Sequence, residues 1–141
     1  MIEDLSAAIR PNLVSISNPV RSDDSQGLAV AIAQAADDRK GGNILILQVI
    51  GISYLADYFV LVTGFSRAQV RAIAAAIQDR AQQQWQRSPR RTEGQADGTW
   101  ILQDYGDVIV HIFLPQQREF YNLEAFWGHA ERIPFAPTPG S

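Results

Sequence analysis

The stretch Thr99-Trp-Ile-Leu-Gln-Asp-Tyr-Gly-Asp-Val-Ile-Val-His-Ile-Phe113 reads as two strands around one turn. Residues 100–102 and 108–114 are rich in β-branched and aromatic side chains, which suit a pleated, partly buried surface. Between them, Asp104-Tyr105-Gly106-Asp107 carries turn chemistry: a Gly for positive φ, and Asp side chains that can hydrogen-bond nearby backbone. The pattern predicts a β-hairpin. On a period of two, Trp100, Leu102 and Asp104 share one face, while Ile101, Gln103 and Tyr105 take the other. An amphipathic helix over 117–127 follows, with Phe120, Leu123 and Trp127 at helical spacing.

Upstream, the aliphatic runs at 43–50 and 58–63 predict two strands covered on both faces. Ser66 is placed as N-cap of a helix over 67–86, with Val70, Ile73, Ala74, Ile77, Ala81 and Trp85 as its apolar stripe. Ser88-Pro89 ends that helix, residues 90–94 supply a short strand, and 95–98 a polar turn. An earlier helix over 26–39 has Ser22, Asp23 and Asp24 at its start and Gly41-Gly42 at its stop. The expected order is α-β-β-α-β-β-β-α: a single small α/β domain, a mixed sheet of about five strands with helices packed on it. A strand–helix–strand passage from 58 to about 94 crosses over right-handed if its strands are parallel. Residues 1–22 read as a variable extension with one helical turn at 3–9, residues 23–130 as the domain, and 131–141 as a Pro-rich tail. In that tail Pro134, Pro137 and Pro139 disfavour helix and central strand.

Composition narrows the function classes. With 46% hydrophobic residues in 141, the chain can build one core. It has no Cys, which excludes disulfides and thiolate metal sites. No apolar run approaches the roughly 20 residues of a membrane span, and the acidic start lacks a signal-peptide or transit-peptide pattern. The expectation is a soluble, cytoplasmic protein. Charge is segregated: six Arg against Asp79 from 67 to 91, then seven acids against Arg118 from 92 to 131. Solvated faces with local pairs account for this. So does an acidic hairpin that meets a basic partner.

The residue patterns of chemistry are sparse. Thr63-Gly-Phe-Ser-Arg67 joins a strand to a helix start, where an anion can bind. The Gly spacing of a P-loop or dinucleotide loop is missing, and Ala68 stands where a nucleophile elbow needs Gly. His111 and His129 lie on different elements without ligand spacing. The expectation is no metal, no cofactor and no catalytic residue. Asp104 and Asp107 are explained first as turn formers. Trp100, sharing a face with a carboxylate, reads either as a core Trp at a sheet edge or as a protein-binding anchor.

Four blocks carry a resemblance: Asp57-Tyr-Phe-Val-Leu-Val-Thr-Gly-Phe-Ser-Arg-Ala-Gln-Val70; Glu93-Gly94; the hairpin from Trp100 to Phe113; and Arg118-Glu-Phe-Tyr-Asn-Leu-Glu-Ala-Phe-Trp127. In order and spacing they resemble the Iojap family, the ribosomal silencing factors (RsfS), over roughly residues 25–127. Gln69 departs from the His that many members carry. The resemblance implies a small α/β domain, distantly nucleotidyltransferase-like, that is not an enzyme. It implies binding to the large ribosomal subunit at its protein numbered fourteen, a block on joining with the small subunit, and lower translation under nutrient limitation. Carried over, Trp100 is the apolar anchor, with Leu102 on its face and Gly106 in the turn. Asp104 and Asp107 pair with basic groups, and Tyr105 adds area. The resemblance also implies a homodimer, with no membrane or small-molecule partner. Two other classes stay open: a degenerate nucleotidyltransferase or nucleotide binder, and an RNA-binding module using Arg67, Arg71, Arg80, Arg87, Arg90 and Arg91.

Overall fold

Strand β2 (Tyr58–Thr63) lies inside the sheet with all six residues buried, as the apolar run from Tyr58 to Val62 requires. The structure, a computed structural model, describes residues 22–136; the extension up to residue 21, its expected turn at 3–9, and Pro137 and Pro139 lie outside the described residues. Strand β2 pairs parallel with β5 (Val108–Phe113), which is likewise buried throughout, and antiparallel with β1 (Gly42–Gln48). Strand β4 (Trp100–Asp104) runs antiparallel to β5 and forms the expected hairpin, and β3 (Arg91–Glu93) pairs antiparallel with β4. Strand β6 (Glu131–Ile133) closes the other edge on β1, giving the order β3-β4-β5-β2-β1-β6. Six strands thus stand where about five are expected. The extra one is three residues long and followed by Pro134, a placement that only a sheet edge tolerates. Strands β2 and β3 run the same way, as the crossover expectation requires, but β5 and β4 separate them.

Helices α1 (Ser22–Asp38) and α2 (Arg67–Trp85) cover one face of this sheet. Helix α1 begins at Ser22, so Asp24 falls in its first turn, where a carboxylate interacts favourably with the helix dipole. Its buried Ala29, Ala33 and Ala36 bring the backbone close to the core. Gly27 lets it meet Trp85: a Cβ there would lie 2.6 Å from the indole ring. Helix α2 starts as expected, with the Ser66 hydroxyl accepting from the Gln69 N–H at 3.0 Å. The Gln69 side chain returns to accept from the Phe65 N–H and donates to the carbonyls of Arg39 and Lys40, which ties the α2 start to the α1 end.

The helix expected over 117–127 is two short ones, α3 (Pro115–Tyr121) and α4 (Leu123–Phe126). They part at Asn122, whose φ of 49° is the left-handed conformation that Asn tolerates. The break turns Phe120 out to solvent and swings Arg118 inward, contrary to the continuous stripe. Arg118 donates to Thr63 Oγ1 at 2.9 Å and to Glu124 at 3.1 Å. Leu123 and Trp127 still pack, against the sheet face that α1 and α2 leave free.

Candidate functional site

The hairpin turn is built as its residues dictate. Gly106 takes φ +94°, its N–H donates to Asp104 Oδ1 at 2.8 Å, and the Tyr105 N–H donates to the Val108 carbonyl at 2.8 Å. The resulting register sets Trp100 opposite Phe113 and Leu102 opposite His111. Side chains opposite one another in a ladder share a face, so these four all point away from α1 and α2.

On that face the rings form a continuous band. Phe120 meets Tyr121 (5.0 Å between centroids), Tyr121 meets Trp100 (4.8 Å), and Trp100 meets Phe113 (5.3 Å) and His111 (5.8 Å). His111 meets Phe59 (5.9 Å), Phe59 meets Trp127 (5.3 Å), and Trp127 meets Phe126 (5.0 Å). The middle is buried and the ends are open: Phe120 is 80% exposed, Tyr121 54% and Phe126 71%. The Trp100 indole N–H donates to His111 Nδ1 at 3.1 Å. Burial pushes the His111 pKa down to about 4, so the ring is neutral at pH 7 and carries its proton on Nε2.

The residues singled out in the hairpin divide. Trp100 and Leu102 are half-buried together and border a depression with Glu93 and Gly94. Tyr105 lies on the other side of the sheet, buried; its hydroxyl donates to Gln103 Oε1 at 2.8 Å, and Gln103 donates to the Ala74 carbonyl at 2.9 Å. Burial pushes its phenol up. Gly106 is half-buried in the turn. The carboxylates are engaged within the chain: Asp104 with Arg90 (3.3 Å) and Arg91 (3.7 Å), and Asp107 with Arg87 (2.5 Å) and the Ser25 hydroxyl (2.7 Å). Burial acts to raise the Asp107 pKa, but the hydrogen bonds from Arg87 and Ser25 and the Arg87 charge outweigh it and hold the group below the usual carboxylate range. A basic partner would therefore compete with the chain's own arginines. Local pairing of Arg87, Arg90 and Arg91 with Asp107 and Asp104 accounts for part of the charge segregation.

Sequence patterning missed Phe59, Phe120, Tyr121, Phe126 and Trp127 as parts of one face. The signal available was the aromatic density of Phe120-Tyr121 and Phe126-Trp127. Other chemistries find little support. At the β2–α2 junction the N–H groups of Gly64, Phe65 and Gln69 already have protein acceptors, which leaves a poor anion cradle. Arg71 holds the carbonyls of Gln95 and Ala96, and Arg80 pairs with Asp38, so the arginines do not form an open basic track. Among the described residues no three His, Asp or Glu converge as metal ligands would, and no helix is long and apolar enough to cross a membrane.

The family described as "Ribosomal silencing factor during starvation" matches residues 22–140. The chain belongs to the ribosomal silencing factor family. It is 44% identical over 98 residues to ribosomal silencing factor RsfS of Bacillus subtilis, covering 70% of this chain and 82% of that protein. It is 42% identical over 113 residues to the chloroplastic protein Iojap of Zea mays, covering 79% of this chain and 49% of that one. The chain thus spans about half the length of the plant relative. A crystal structure from Chromobacterium violaceum superposes with a TM-score of 0.69 at 31% identity, covering 86% of this chain and 98% of that one. One from Bacillus halodurans gives 0.68 at 36%, covering 78% and 99%. The small α/β domain with its mixed sheet is the fold of these family members, and the relatives' names tie the family to translation regulation.

Proposed function

We propose that this chain binds the large ribosomal subunit at its protein numbered fourteen, covers the surface that faces the small subunit, and so keeps the subunits from joining when nutrients are short. The observation that supports the reading most is the aromatic band centred on Trp100. A row of rings with open ends on a sheet face that the α3–α4 segment covers only in part has the composition of a protein-binding centre, where Trp and Tyr are enriched. Trp100 and Leu102 are the anchor, and Phe120, Tyr121 and Phe126 extend the area. In this reading Asp104, Gly106 and Asp107 hold the hairpin in shape through their internal bonds, and Tyr105 backs it from the core. A second copy of the chain can occupy the same face, so a homodimer competes with the ribosome. The work takes place in the cytoplasm, where free subunits meet.

Light scattering of purified subunits mixed with and without the protein tests this. The reading predicts slower and less complete joining with wild type, and normal joining with Trp100→Ala. Joining that is unaffected by wild type at any ratio overturns it.

A further inference from the structure

The Trp100 indole has one hydrogen-bond donor, and on this face it is turned inward. Its N–H reaches Nδ1 of His111 at 3.1 Å, and the two rings lie 5.8 Å apart, tilted by 54°. His111 is itself fixed: it sits in the middle of β5, paired in register with Leu102 on β4 and Leu61 on β2, between the rings of Phe59 and Phe113. A buried polar residue in an otherwise apolar strand costs stability unless its polar atoms are used. Val and Ile fill the positions on either side of it. The bond to Trp100 is the use this structure makes of it.

We propose that His111 is the positioning residue of the docking face: it locks the Trp100 ring and consumes its donor, so that the surface offers an apolar ring plane needing no acceptor from the partner. This rests on the docking reading above. Two physical consequences follow. A ring already held in one rotamer loses little side-chain freedom on binding, and an indole N–H already bonded is not stranded when the interface closes. The partner group that fits over Trp100 is therefore aliphatic or cationic, stacking on the ring plane, rather than a carbonyl or carboxylate placed for the N–H. Glu93 borders the same depression but is paired with Arg91 at 3.2 Å, so the preference comes from the ring plane alone.

Two variants separate positioning from packing. His111→Asn keeps an acceptor at about the place of Nδ1 but loses the ring; His111→Leu keeps apolar bulk but has no acceptor. Each is compared with wild type by thermal melting, by the Trp100 indole proton in 15N-resolved NMR, and by co-sedimentation with large subunits. The expected stability order is Leu at or above wild type, with Asn below. The expected binding order is the reverse: Asn close to wild type and Leu weaker by about tenfold, the cost of one unfixed side chain at an interface. In the Leu variant the indole proton moves upfield as its bond is lost. A Leu variant that binds like wild type, or an Asn variant that loses both the bonded indole signal and binding while folded, overturns the proposal. If wild type itself does not co-sediment, the docking reading fails instead, and the indole signal still reports whether His111 holds Trp100.

Discussion

Replacing Arg87 with Ala should expose how the fold depends on one clasp. The Arg87 guanidinium bonds Asp107 through both carboxylate oxygens (2.5 and 3.4 Å) and the Tyr105 carbonyl (2.8 Å). Ser25 adds a third bond to the same carboxylate. This one carboxylate joins the α1 start, the α2 exit and the hairpin turn. Removing one partner of a buried pair costs about 3–5 kcal/mol, because the other charge is left uncompensated. Asp107 is only 9% exposed, but Arg87 is 26% exposed and solvent screens the pair in part. A loss of about 2 kcal/mol is therefore expected at pH 7. For a domain of this size that lowers Tm by about 8 °C. Urea unfolding should show a lower midpoint with an unchanged slope.

The pH dependence gives this prediction its sign. In wild type the folded Asp107 pKa is lowered, so its contribution is present above the unfolded value and is lost as pH falls through the folded one. Without Arg87, burial dominates and protonation relieves the variant. The difference between the two proteins should shrink as pH falls from about 5 toward 3. A variant within about 0.5 kcal/mol of wild type at pH 7, or a difference that does not change with pH, refutes the reasoning.

Three further outcomes are expected. Ser66→Ala removes the cap on α2 and should cost about 1 kcal/mol by urea unfolding. His111, neutral when folded with a pKa of about 4 against 6.5 unfolded, binds its proton more readily in the unfolded chain. Stability should be full above pH 6.5 and fall by up to about 3 kcal/mol toward pH 4, a slope that His111→Leu abolishes. Phe120→Ser with Phe126→Ser, both at open ends of the aromatic band, should leave stability within about 0.5 kcal/mol while weakening association with large subunits in the same gradients that score wild type.

Elements whose signal is local were legible in the sequence. Five apolar residues closed by Thr63 gave β2 with its observed bounds, Ser66 and the stripe from Val70 to Ala81 gave α2, and Gly106 between two β-rich runs gave the hairpin. What depends on distant partners was not. Strand β6 is defined by pairing with β1, more than eighty positions earlier. The left-handed turn at Asn122 leaves the spacing of Phe120, Leu123 and Trp127 compatible with one helix, so the outward turn of Phe120 had no sequence mark. Alternation put Trp100 and Leu102 on one face. It could not show that Tyr121 would come to rest beside Trp100, or that Arg87, Arg90 and Arg91 would fold back onto Asp107 and Asp104.

The central claim is that the Trp100 face holds the large subunit. Co-sedimentation with separated ribosomal subunits, wild type beside Trp100→Ala with both confirmed folded by circular dichroism, tests it most directly. The account predicts that wild type travels with the large subunit alone and that Trp100→Ala, losing at least about 2 kcal/mol of binding, stays at the top of the gradient. Equal binding by the two proteins would contradict it.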